Sequence, residues 1–152
     1  MPRPVCIDFE TEGIERRPAY PPKPVGVSIK YWGKKAHYYS FGHPTKNNCS
    51  EAEAKEALQE AYESGAPLLF QGGKLDIDVA EVHWGLELPD WKNYHDTLFL
   101  LFLDNPHSKD LGLKPSAEKL LGWAPEEQDA VRDWLMEHQP LKEQSIRMSM
   151  SK

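Results

Sequence analysis

Three strand-like segments come before any helix in this chain, and that order restricts the fold more than any other feature of the sequence. Val5-Cys6-Ile7-Asp8-Phe9-Glu10 is short, apolar and partly β-branched, and it runs into Thr11-Glu12-Gly13. A proline-rich stretch follows at 15–24; its prolines have no N–H to offer a central ladder. Val25, Val27, Ile29 and Tyr31 then alternate with Gly26, Ser28 and Lys30, the period of a half-buried strand. Gly33-Lys34-Lys35 supplies a hairpin turn, and residues 36–41 return as a third strand. Beyond Ser50, helices and strands alternate. Hairpins give antiparallel pairs and crossovers give parallel ones, so the chain is expected to form an α/β fold with a mixed five-stranded sheet flanked by helices.

The later elements carry their own punctuation. Ser50 with Glu53 makes a capping box, and Gly65 ends the helix that it opens. Residues 67–71 form a short apolar strand before Gly72-Gly73. Residues 74–84 are expected to be helical, with Leu75, Val79 and Val82 on one face. A fifth strand at 93–95 precedes a very apolar helix at 97–103, and two further helices, 115–121 and 125–137, each carry a proline near the first turn. The 152 residues suit one domain, expected to span 1–140 with a polar tail at 141–152.

Hydrophobic residues make up 39% and charged residues 28%, the balance of a water-soluble globular chain. No apolar run approaches the roughly 20 residues that a membrane-spanning helix needs, and Met1-Pro2-Arg3-Pro4 lacks the apolar stretch of a secretory signal. There are two cysteines, and Cys6 reads as a small core residue, so a reducing cytoplasm is the expected location. The net charge of −6 argues against coating nucleic acid by bulk electrostatics. It leaves open a site that handles a strand end, where bound cations reverse the local field.

Asp8 and Glu10 stand two apart on the first strand, so both carboxylates emerge on one face while Phe9 enters the core. Neighbouring acids repel; a divalent cation removes that cost, and oxygen ligands suit Mg²⁺ or Mn²⁺. The spacing by itself is common: Glu51/Glu53 and Asp76/Asp78 share it. What distinguishes Asp8 and Glu10 is that they interrupt an apolar strand. Asp76 follows the Gly72-Gly73 turn in the first turn of a helix, where the dipole favours a carboxylate for purely structural reasons as well. Lys74 could meet a phosphate. The histidines show no zinc-site spacing, and Trp84, Trp91, Trp123 and Trp134 read as packing residues.

In order and spacing, Asp8-Phe9-Glu10-Thr11, Lys74-Leu75-Asp76, Asp96-Thr97 and Gly112-Leu113-Lys114 resemble the 3'–5' proofreading exonuclease domain of family A DNA polymerases, within the DEDD superfamily. The likeness covers roughly residues 4–123. The resemblance implies a ribonuclease H-like fold and metal-dependent removal of nucleotides from a single-stranded DNA 3' end. Asp8, Glu10 and Asp76 would then be the catalytic and metal-binding residues, holding Mg²⁺ or Mn²⁺, and Thr11 and Lys74 would meet the substrate. A polymerase or replication protein is an implied partner. Two departures stand out. Gly72 replaces the usual Asn of the second motif, and the third motif, Tyr-x-x-x-Asp, has no match. Asp129 and Asp133 sit on an expected helix without that tyrosine, so the chain reads as the family domain without its C-terminal part, with weak or incomplete cleavage. The alternatives are a non-catalytic domain of the same fold that binds nucleic acid or protein, and a related nuclease acting on RNA or a hybrid.

Overall fold

The computed structural model describes residues 3–123 and Glu137. The chain forms two compact units, Met1–Ser108 and Lys109–Lys152. The first contains β1 (Val5–Thr11), β2 (Pro24–Tyr31), β3 (His37–Ser40), α1 (Glu51–Glu63), β4 (Leu68–Phe70), α2 (Lys74–Trp84), β5 (Tyr94–Asp96) and α3 (Thr97–Asp104). The described helix of the second unit is α4 (Leu113–Leu121). The expected helix at 125–137, apart from Glu137, and the tail at 141–152 lie outside the described residues, as do Trp134, Asp129 and Asp133.

The five strands lie in the order β3-β2-β1-β4-β5. β1–β2 and β2–β3 pair antiparallel, as the hairpin-like spacing predicts, and β1–β4 and β4–β5 pair parallel, as the helical crossovers predict. β1 therefore lies at the centre. Its alternation is strict: Val5, Ile7 and Phe9 are buried, while Cys6, Asp8 and Glu10 are exposed. Cys6 was expected in the core; the period of two instead puts it on the face of the two acids. Both cysteines are free thiols.

The core forms where Val5, Ile7, Phe9, Val27, Ile29, Leu68 and Phe70 meet Ala54, Leu58, Ala61 and Tyr62 of α1 and Val79, Ala80 and Trp84 of α2. Each fully buried Leu or Phe contributes roughly 1.5–3 kcal/mol relative to exposure. The capping box of α1 is complete: Ser50 Oγ accepts from the Glu53 N–H and the Glu53 carboxylate accepts from the Ser50 N–H. Gly65 sits just beyond its end at φ +68°, the left-handed conformation that costs glycine least.

In α2 the buried residues are Asp76, Ile77, Val79, Ala80 and Trp84, and Val82 is 64% exposed. The expected face of 75, 79 and 82 is thus rotated. Trp84 anchors the buried face by packing at a tilt against Phe9 and Phe41, at 5.1 and 5.7 Å between ring centroids. Two more tryptophans expected to pack, Trp91 and Trp123, are 66% and 69% exposed. The apolar α3 likewise leaves Phe99, Leu100, Phe102 and Leu103 exposed. Among the described residues no helix is long and apolar enough to cross a membrane.

Candidate metal and nuclease site

β4 has three residues and pairs with only Val5 and Cys6 of β1. The Val5 N–H points to that side of the sheet, where it donates to Pro67 O at 2.9 Å. Alternation sends the Phe9 N–H the same way, past the point where β4 has stopped. Its acceptor is a side chain: Phe9 N–H donates to Asp76 Oδ1 at 2.8 Å in a buried bond. Asp76, the third residue of α2, is thereby fastened to the backbone of the residue between Asp8 and Glu10.

Burial raises the Asp76 carboxyl most; the Phe9 N–H lowers it and the neighbouring Asp8 charge raises it again, leaving it at about 6. Asp8 is exposed along its strand face, yet the surrounding protein partly desolvates its carboxyl and lifts it above the usual carboxylate range. Glu10 is exposed on the same face as Asp8, and a register shift between Glu10 and Thr11 kinks the strand just after it.

The turn that delivers Asp76 is itself held. The Asp96 carboxylate, buried at the end of β5, accepts from Gly72 N–H and Gly73 N–H, each at 2.9 Å, from Leu98 N–H at 2.9 Å and from the Tyr94 hydroxyl at 2.7 Å. Burial alone would raise its pKa, but these donors win and lower it. Gly72 adopts φ +69°, a left-handed conformation that glycine adopts at least cost and that Asn tolerates better than most residues. A Cβ on Gly73 would come within 2.4 Å of Phe70 Cβ.

The other expected site residues lie apart. Thr11 is half-buried, its hydroxyl donating to Glu12 O at 2.9 Å. Lys74 Nζ pairs with Asp78 at 2.6 Å and lies 5.9 Å from the centroid of the Tyr20 ring. Tyr20 also donates to Asp78, so Asp78 faces the proline-rich loop and points away from Asp76, as helical spacing requires. Sequence reasoning missed Asp96 as the support of the turn. Its signal was a lone acid directly before a helix, an N-cap pattern.

Among the described residues, no three His, Cys, Asp or Glu side chains stand together as a ready-made metal cage. The fit to a hard divalent cation rests on the donor set and on backbone placement. A buried carboxyl with a raised pKa beside a second acid is a group whose ionised form lacks a counter-charge, and Mg²⁺ or Mn²⁺ is the counter-charge that oxygen ligands favour.

The fold has solved counterparts. NrnC of Brucella melitensis with bound Mg²⁺ matches with a TM-score of 0.60 at 20% identity, over 80% of this chain and 54% of that one. NrnC bound to pGG matches at 0.61 and 19% identity, over 80% and 53%. A structure described as the apo form of the nuclease matches at 0.59 and 18%, over 79% and 52%. The chain spans about half the length of these structures. No family model and no curated protein matches. At these identities the likeness establishes the fold alone, which is ribonuclease H-like.

Proposed function

We propose that this chain is a divalent-metal-dependent nuclease domain acting at the 3' end of single-stranded nucleic acid, with Asp8, Glu10 and Asp76 holding the ion. One observation carries this: the Asp76 carboxylate, from a different element, is bonded to the backbone exactly one residue from each of the two acids. Folding has no need of paired acids on a central strand, and a buried third one beside them adds cost unless a cation is shared. The likeness to NrnC, described with Mg²⁺ and with pGG, supports the same chemistry.

In this function Asp8, Glu10 and Asp76 would hold the ion, and Glu10 would also stand near the attacking water. When bound there, Mg²⁺ or Mn²⁺ supplies the charge that makes water a nucleophile near neutral pH and steadies the leaving 3' oxygen. Thr11, at the strand end, and Lys74, whose surface ion pair with Asp78 is weak enough to exchange, would meet sugar or phosphate. The resemblance to proofreading domains favours DNA and a polymerase or replication partner. The pGG complex of NrnC favours very short oligonucleotides.

The test incubates 3'-labelled and 5'-labelled single-stranded DNA, and separately pGG, with Mn²⁺ and either wild type or Asp8→Ala. Asp8-dependent loss of the 3' label is the expected result, with a Mn²⁺-induced rise in Tm that Asp8→Ala abolishes. Equal thermal stabilisation of both proteins would exclude the shared site. A rise confined to wild type without any cleavage would favour the non-catalytic binding domain.

A further inference from the structure

The face of the sheet that carries Asp8 and Glu10 also carries an aromatic group that the proposed chemistry has not used. Gly26 of β2 is the cross-strand partner of Glu10. A Cβ built on Gly26 would fall 2.3 Å from the Tyr38 hydroxyl oxygen, so the phenol of β3 lies across this glycine and its Oη stands where a side chain at 26 would begin. Directly opposed residues hold their Cβ atoms about 4.5–5.5 Å apart. The Tyr38 hydroxyl therefore lies on the Glu10 side of the sheet beside the residue that faces Glu10, within the span that a glutamate side chain can cover from a cross-strand position. The negative charge of Glu10 acts on Tyr38, adding to burial in raising the phenol's pKa.

The hydroxyl is also held from behind. Tyr38 Oη and His43 Nε2 are 2.6 Å apart. Asn47 clamps the main chain of His43 from both sides, its Oδ1 accepting from His43 N–H at 3.0 Å and its Nδ2 donating to His43 O at 2.9 Å. Asn48 ties the same loop back to β3, donating to Tyr38 O at 2.7 Å and accepting from Ser40 N–H at 2.9 Å. A loop braced in this way fixes the imidazole, and the imidazole fixes the phenol. If His43 donates its Nε2 proton, the Tyr38 hydroxyl keeps its own proton to give, and Glu10 is the acceptor that its position offers.

We propose that Tyr38, backed by His43 and admitted by Gly26, is a positioning residue that orients the Glu10 carboxylate for phosphodiester hydrolysis. The proposal rests on the nuclease function above and adds a group that neither the matched motifs nor the carboxylate cluster contains. Fixing an orienting hydrogen bond to a reacting carboxylate is the kind of contribution that two-element sites need for a productive geometry.

The experiment compares wild type, Tyr38→Phe, His43→Ala and the double variant in Mn²⁺-dependent cleavage of labelled DNA and pGG. It also records Tm and the ¹³C resonance of the Glu10 carboxylate in metal-free protein, assigned with Glu10→Gln. Tyr38→Phe should lower kcat by roughly ten- to a hundredfold with KM and Tm little changed, and should shift the Glu10 resonance. His43→Ala should reproduce both effects, and the double variant should add little. Unaltered kcat in Tyr38→Phe overturns the proposal while leaving the nuclease function intact. So does a Glu10 resonance that stays in place, whatever the rate of cleavage. If wild type neither cleaves nor shows Mn²⁺ broadening of the Glu10 signal, the nuclease function fails and the catalytic role of Tyr38 with it.

Discussion

The Asp76 carboxyl is the residue whose chemistry is most exposed to test. Its folded pKa of about 6 stands above the ordinary value near 3.8. Between those values the folded chain keeps a proton that the unfolded chain has released, so metal-free stability is greatest below the window and falls as pH rises through it. A displacement of this size corresponds to roughly 2–3 kcal/mol. Asp76→Asn keeps an acceptor for the Phe9 N–H without the charge. It should flatten that decline in urea titrations run with a chelator between pH 4 and 7; parallel curves for the two proteins would refute the assignment. Asp8→Asn should leave metal-free stability unchanged or slightly higher, as is common where a functional site carries strain. A loss of several kcal/mol would make Asp8 a structural partner. Tyr62 is a further case. Its hydroxyl is buried with no hydrogen-bond partner among the described residues, and both burial and the Asp76 charge push its pKa up. Tyr62→Phe removes an unsatisfied group and should raise stability by up to about 1 kcal/mol; a fall in the urea midpoint would show that the hydroxyl has a bond.

At the scale of elements, what was legible in the sequence is what depends on neighbours along the chain. The capping box at Ser50, the strand–turn–helix carrying Asp76 and the shared face of Asp8 and Glu10 all follow from period and spacing. The bond from Phe9 N–H to Asp76 does not, because it depends on where β4 stops alongside β1, and nothing within 5–11 encodes that. The clamp of Asp96 on Gly72 and Gly73 is likewise set by the parallel register of β4 and β5. The misplacement of Cys6 had a different origin: its apolar character outweighed an alternation that already put it beside the acids. The clamp has a measurable weight. Asp96→Ala would strand the buried amide of Gly73 and the part-buried amides of Gly72 and Leu98, and should cost about 2–3 kcal/mol. It should also weaken the Mn²⁺-induced rise in Tm, because Asp76 follows the freed turn. Unchanged stability and an unchanged Mn²⁺ response would show that α2 is positioned by its core contacts alone.

For the whole molecule, the expectation is feeble turnover. No tyrosine in the 152 residues is followed by an aspartate four positions on, so under the proposed function the ion is held by Asp8, Glu10 and Asp76, for chemistry that gains from a second held ion. Removing one orienting or general-base group costs on the order of 10²–10⁴ in rate. Fusing a helix that carries Tyr-x-x-x-Asp to the chain should therefore accelerate Mn²⁺-dependent cleavage, measured by single-turnover kinetics. Rapid, Asp76-dependent cleavage by the unextended chain would overturn that expectation.

The three-residue length of β4 has a consequence for how such a site can be gained or lost in evolution. An N–H on a central strand accepts one tenant. If β4 ran two residues further, a main-chain carbonyl would claim the Phe9 amide and the carboxylate of Asp76 would be evicted, with every acid still encoded and the core undisturbed. An insertion between Phe70 and Gly73 could thus silence the centre without touching any residue that a motif search inspects, and a deletion there could restore it.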